Sequence, residues 1–225
     1  MLGFYNYTVI LTYLSVASAT IGITLINNKF VGIFWAIACL MFSGFCDMFD
    51  GKVARTKKDR TDAMKKFGIQ IDSLADMICF GVLPALINYK ISVIEILELQ
   101  GITWQRILAF TSSIIYVLAA LIRLAYFNVM EEERTKTTSE VRKYYEGLPV
   151  TTISIIFPTV YLLKQLIIGD EPCGILFNVL LVIVAALFVS RIPVKKLHTK
   201  GLVVVAVIGA AILLAIALTY RWPLF

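Results

Sequence analysis

Apolar residues run along this chain in long blocks, not in the alternation of a half-buried strand or the one-sided stripe of a surface helix. The blocks fall near residues 8–26, 31–49, 69–88, 106–127, 149–168, 174–190 and 202–220, separated by short polar connections. About 20 helical residues, rising about 1.5 Å each, cover the roughly 30 Å hydrocarbon core of a bilayer. The pattern therefore predicts an all-α polytopic transmembrane helix bundle of about seven spans. The stretch ISVIEILELQGITW (91–104) mixes apolar and acidic positions, which suits an interfacial amphipathic helix and leaves an eighth span open. With no composition break, low-complexity tract or internal repeat, residues 1–225 are expected to form a single integral-membrane domain.

Composition agrees and narrows the solvent. Hydrophobic residues make up 59% of the chain and charged ones 16%, with a mean hydropathy of +0.84, which excludes an ordinary water-soluble domain. The net charge of +6 sits between the apolar blocks, in 52–66, in 128–147 (Arg134, Lys136, Arg142, Lys143) and in 191–200 (Arg191, Lys195, Lys196, Lys200). By the positive-inside bias these connections are cytoplasmic, which places the N-terminus inside and, with seven spans, the terminal RWPLF outside. The same reading leaves the basic residues no need of nucleic acid as a partner. Cys39, Cys46, Cys79 and Cys173 show no CxxC spacing and read as packing residues. The first run lacks a basic leader segment and is expected to remain as a membrane helix, not a cleaved signal peptide.

Four acids stand out against this background. Asp47 and Asp50, in FSGFCDMFDGKVAR, close the second run, and Asp72 and Asp76, in FGIQIDSLADMICFGV, open the third. Ionised side chains are costly beside hydrocarbon and mark function unless compensated. On a helix, Asp47, Asp50, Gly51 and Ala54 fall within about 100° of one another, and Gly68, Asp72 and Asp76 follow at i+4 steps. Two facing carboxylate pairs repel, so unless some are protonated they require cations, and four oxygen donors can share two divalent ions about 3.5–4 Å apart. Hard oxygen ligands suit Mg²⁺ or Mn²⁺, and the missing Cys/His cluster argues against structural zinc. Gly51, Ala54 and Gly68 leave room on the acidic faces, and Arg55 offers a planar fork of donors for phosphate. A solvated helix end would account for either pair alone, but not for both with Gly, Ala and Arg between them. Asp59, Arg60 and Asp62 are expected to be surface charges, His198 to have no catalytic part, and Gly3, Gly22 and Gly32 to serve helix packing. Arg123, inside the fourth run with Asn128 following, either points inward to hold a carboxylate or phosphate, or snorkels to the interface.

The run Asp47-x-x-Asp50-Gly51-x-x-Ala54-Arg55, followed by Gly68-x-x-x-Asp72-x-x-x-Asp76, resembles the signature of the CDP-alcohol phosphotransferase family of integral membrane enzymes. The interval from Arg55 to Gly68 is twelve residues (56–67), longer than the interval commoner in that family. IDSLADMICFGVLPA is similar to a stretch of the phosphatidylserine synthases within it, with Cys79 replacing the usual serine; RLAYFN (123–128), GLP (147–149) and VSRIP (189–193) extend the likeness. The resemblance implies transfer of a phosphatidyl group from CDP-diacylglycerol to the hydroxyl of L-serine, with release of CMP, at a two-metal site in a cytoplasm-facing polar cup. It implies that Asp47, Asp50, Asp72 and Asp76 ligate metal, with Asp76 also the candidate general base, and that Gly51, Ala54, Arg55 and Gly68 hold the nucleotide and pyrophosphate. Arg123 and Asn128 become candidates for serine or lipid-phosphate binding. A homodimer in a prokaryotic cell membrane is implied as well. The runner-up acceptor is glycerol phosphate or an inositol phosphate, with Lys65, Lys66, Arg142 and Lys143 as candidate extra cations; an archaetidylserine synthase is a further variant. A divalent-cation transporter is the alternative from another class, but transport sites favour the midplane and discontinuous helices, whereas these acids cluster toward one side.

Overall fold

Each apolar run folds as helix, because in hydrocarbon the backbone must satisfy its own polar groups. The computed structural model describes residues 3–4, 6–28, 32–98, 103–137, 144–169, 173–195 and 199–220. A 3₁₀ turn (Tyr7–Val9) leads into α1 (Ile10–Leu25), followed by α2 (Gly32–Thr56) and α3 (Asp62–Asp76); a π-helical turn (Met77–Val82) carries α3 into α4 (Leu83–Glu98). Then come α5 (Thr103–Thr137), β1 (Tyr144–Glu146), a 3₁₀ turn (Val150–Thr152), α6 (Ile153–Ile167), α7 (Gly174–Phe188), β2 (Pro193–Lys195) and α8 (Thr199–Thr219). Among the described residues, six helices are long and apolar enough to cross a membrane. The seventh apolar run forms α7, whose 15 residues extend about 22 Å, less than the roughly 30 Å core. It packs against α4 and α5, burying Phe177, Leu181, Val184 and Phe188 and leaving Ile175, Val179, Val182 and Ile183 exposed, and because β2 beyond it pairs with β1 ahead of α6, it returns the chain to the side that α6 leaves.

Two boundaries differ from the hydropathy pattern in a way that matters for the site. The second helix continues past its apolar run to Thr56, and the third starts at Asp62, where the Thr61 hydroxyl accepts a hydrogen bond from the Met64 N–H at 3.3 Å. This is an N-cap. Most of the basic stretch 52–66 is therefore helical, and the true connection is residues 57–61. Asp72 and Asp76 consequently lie about three and about four turns into α3. The amphipathic stretch 91–104 is not a separate element where it is described: residues 91–98 continue α4, and 99–102 lie outside the described residues.

Small and hydroxyl residues let α1, α2 and α6 approach closely, as membrane helices do in the absence of a hydrophobic drive between them. A Cβ on Gly22 would lie 2.9 Å from the Cys39 Cβ, and one on Gly44 would lie 2.6 Å from the Ser154 Cβ. The Ser18 hydroxyl donates to the Cys39 carbonyl at 3.1 Å, and Ser43 donates to the Ser15 carbonyl at 2.9 Å. A Cβ on Gly32 would lie 2.6 Å from the Leu25 carbonyl oxygen, which fits a packing role, whereas Gly3, with φ 112°, is exposed ahead of the first helix. Buried Ile37, Leu40, Phe80, Leu83, Tyr116 and Phe157 form the core. Outward faces of α5 and α8, including Ile107, Phe110, Leu118, Val204, Val207 and Leu214, remain exposed and apolar, as lipid-facing surfaces should. The short strands pair antiparallel, Tyr144 opposite Lys195 and Glu146 opposite Pro193, joining the segment before α6 to the one after α7. Gly147 makes this junction possible: its φ of 74° is left-handed, and a Cβ there would lie 2.7 Å from the Phe188 carbonyl.

Candidate metal centre and nucleotide cleft

The two carboxylate pairs come together where the C-terminal half of α2 faces α3. A carboxylate oxygen from each of Asp47, Asp50 and Asp72 lies within 4.8 Å of the others. Across the helix pair, the Asp47 side chain meets that of Asp76, and Asp50 meets Asp72. Asp50 is buried, and the Thr12 hydroxyl of α1 donates to its Oδ2 at 3.2 Å. Three carboxylates at this spacing, with Asp76 against Asp47, form a strongly negative, all-oxygen donor set. It fits a hard divalent cation and not a thiolate or imidazole metal.

Directly after Asp76 the helix widens into the π turn, in which the Leu83 N–H reaches back to the Ile78 carbonyl. The phenol of Tyr116, fully buried on α5, donates to the Phe80 carbonyl at 2.6 Å. A π turn inserts one residue and rotates the helix beyond it, and such turns gather at functional sites. Beneath the acids, the Ser15 hydroxyl lies 3.2 Å from Cys79 Sγ, so the cysteine that replaces serine in the IDSLAD stretch keeps a polar partner. Asn128 donates to the Ser73 hydroxyl at 2.8 Å, tying α5 to the residue beside Asp72.

On the connection side of the acids opens a cleft of roughly 330 Å³, bounded by Thr8, Val9 and Thr12 before and within α1, by Asp50, Gly51, Ala54 and Arg55 of α2, and by Arg60, Lys65, Gly68, Ile69 and Asp72. Of the acid, glycine, alanine and arginine positions picked out by their spacing, all except Asp47 and Asp76 line it. Gly51 faces open space, where an added Cβ would meet only Arg55 Nη1, at 3.6 Å. Its glycine therefore keeps the cleft clear and is not needed for helix contact. Arg55, Arg60 and Lys65 share this lining with Asp50 and Asp72, so both signs of charge border the cleft.

One expectation is overturned and one open choice is decided. Arg60 is not a surface charge: it is half-buried, and its Nη1 and Nη2 donate to the Ala54 and Met64 carbonyls at 3.3 and 3.4 Å. Asp59 and Asp62 are solvated, with 80% and 90% of their side chains exposed. Arg123 does not snorkel. It is 6% exposed, donates from Nε to the Leu148 carbonyl at 3.3 Å and lies 5.1 Å over the Phe127 ring. It borders a separate cleft of about 200 Å³ with Tyr126, Glu146, Ser190 and Arg191. Of the other candidate cations, Lys65 pairs with Asp62 at 3.1 Å at the cleft edge and Lys66 is exposed; Arg142, Lys143 and His198 lie outside the described residues. Sequence reasoning missed Thr8, Thr12 and Tyr116, which sit in apolar runs and carry no spacing signal of their own.

Comparison with known proteins agrees with this geometry. The chain is 34% identical over 174 residues to the CDP-diacylglycerol--serine O-phosphatidyltransferase of Saccharomyces cerevisiae, covering 68% of this chain and 57% of that protein. It is 29% identical over 190 residues to the protein of the same name from Mycobacterium tuberculosis, covering 80% and 61% respectively. The Helicobacter pylori (strain J99) protein of that name is 33% identical over 131 residues, 58% of this chain and 46% of that one. The chain thus spans about three fifths of the length of the first two relatives. No solved structure matches it. The family model for CDP-alcohol phosphatidyltransferases covers residues 5–222, and since its span holds the carboxylate pairs and the cleft beside them, the chain belongs to the CDP-alcohol phosphatidyltransferase family.

Proposed function

We propose that this protein transfers the phosphatidyl group of CDP-diacylglycerol to the hydroxyl of L-serine, releasing CMP. The observation that carries the reading is the approach of Asp47, Asp50 and Asp72 to within 4.8 Å at the end of a cleft lined by Gly51, Ala54 and Gly68. The names of the relatives support serine as acceptor. In this reading Asp47, Asp50, Asp72 and Asp76 hold two divalent ions, Mg²⁺ or Mn²⁺, which supply charge neutralisation to the diphosphate and its leaving group. Gly51, Ala54 and Gly68 admit the nucleotide, and Arg55 orients a phosphate by its fork of donors. The serine oxygen attacks the lipid-side phosphorus, the new P–O bond forms as the P–O bond to CMP breaks, and Asp76 accepts the hydroxyl proton.

Arg123 is assigned to the serine carboxylate. Its cleft carries Arg191 and also Glu146, and both signs of charge suit a zwitterionic amino acid better than a phosphate-bearing acceptor. Asn128, held on Ser73, is assigned a positioning role for α3. The basic connection 57–61 and the helix ends beside it support a cytoplasmic site by the positive-inside bias, in a multi-pass prokaryotic membrane protein that acts as a homodimer. The test is CMP release from CDP-diacylglycerol by the purified protein with L-serine, glycerol 3-phosphate or inositol phosphate. Release with serine alone is expected; release with either phosphate-bearing acceptor and not with serine overturns the assignment.

A further inference from the structure

Arg60, in the α2–α3 connection, turns back toward the protein and is half-buried. Its two terminal nitrogens are held by carbonyls on different helices, Ala54 of α2 and Met64 of α3, which fixes the plane of the guanidinium. Its Nε is buried with no hydrogen-bond partner among the described residues. An orphaned, charge-bearing donor costs free energy unless something fills it. The guanidinium lies against Gly68, where an added Cβ would sit 2.7 Å from Nη2. Gly68 in turn is one helical turn before Asp72 on the same face, so Arg60 stands beside the acid cluster and opens onto the same cleft as Arg55 and Lys65.

We infer that Arg60 is a further substrate-binding residue, donating from its guanidinium to the diphosphate of a cytidine nucleotide seated on the Gly51–Ala54–Gly68 surface. Neither the carboxylate spacing nor the glycine and alanine positions call for it. The inference rests on the nucleotide part of the proposed function and not on which alcohol is the acceptor.

The test uses the full-length protein in detergent with Mg²⁺ and CDP as probe. Arg60→Gln is expected to raise the CDP dissociation constant, and the KM for CDP-diacylglycerol, about 10- to 100-fold, the range for losing a hydrogen bond to a charged group. The KM for the alcohol and kcat at saturating lipid should stay within about twofold, the signature of lost ground-state binding. Arg60→Lys, which keeps the charge but not the fork, should recover only part of the affinity. A purely structural clamp between the helices predicts something different: a lower melting temperature without ligand and an unchanged CDP dissociation constant. That outcome overturns the inference, as does full recovery by lysine, which would reduce Arg60 to a diffuse charge. If CDP binding is intact but serine releases no CMP, the acceptor assignment falls and Arg60 is still judged by the CDP measurement. If the unmodified protein binds no CDP, both readings fall together.

Discussion

Thr12→Val probes whether α1 helps to build the metal centre. Valine fills nearly the volume of threonine but carries no hydroxyl, so the buried Asp50 Oδ2 loses the donor now 3.2 Å away. A hydrogen bond to a charged group contributes about 1.5–3 kcal/mol, and 3.2 Å is at the long end of the range, which selects the lower figure. About 1.4 kcal/mol corresponds to tenfold in an equilibrium constant. That matches the lower bound for removing a partner that orients a metal ligand. We expect the Mg²⁺ concentration for half-maximal CMP release to rise about tenfold, with the rate at saturating Mg²⁺ changed little. Direct Mn²⁺ binding to the same variant checks that the shift is in affinity. An unchanged metal response in a variant that folds normally would show that Thr12 does not orient Asp50, and that α1 merely packs beside the site.

Other substitutions separate the remaining roles. Asp76→Asn should lower turnover at saturating serine by at least about 100-fold, the lower range for a positioned general base, while CDP affinity falls much less; Asp72→Asn should damage both, and equal damage in the two variants would reduce Asp76 to a ligand. Gly44→Leu should destabilise the α2–α6 contact, since a Cβ there would already lie 2.6 Å from the Ser154 Cβ, and a melting temperature equal to that of the unmodified protein would contradict the packing. A cysteine at Thr61, in a background without accessible native thiols, should resist an impermeant thiol reagent in intact cells and react after permeabilisation; labelling of intact cells would invert the topology.

Much of the site could be read from the chain because its geometry is local. Asp47, Asp50, Gly51 and Ala54 share one helix face by arithmetic alone, as do Gly68, Asp72 and Asp76, and an acid next to hydrocarbon is conspicuous. Hydropathy places helices well but not their ends: α2 and α3 run through the polar stretch 52–66, because Thr61 caps α3 and a water-exposed segment can be helical without being apolar. Long-range contacts left no local trace. Thr12 reaches Asp50 across 38 positions and Tyr116 reaches Phe80 across 36, and each looks like an ordinary residue of an apolar run. Arg60 was misjudged because a charge in a basic connection is usually solvated; only the fold reveals that the connection turns it onto Gly68. The burial of Arg123 likewise depends on Leu148, which arrives from a segment 25 positions away.

The central claim, that the carboxylates of α2 and α3 form the divalent-metal centre of a phosphatidyl transfer, is tested most directly by CMP release from CDP-diacylglycerol and L-serine. The purified protein would be assayed first in excess chelator and then after addition of Mg²⁺, Mn²⁺ or Zn²⁺. No release is expected in chelator, with recovery on adding Mg²⁺ or Mn²⁺ and poor recovery with Zn²⁺. Full turnover in excess chelator would contradict the metal centre.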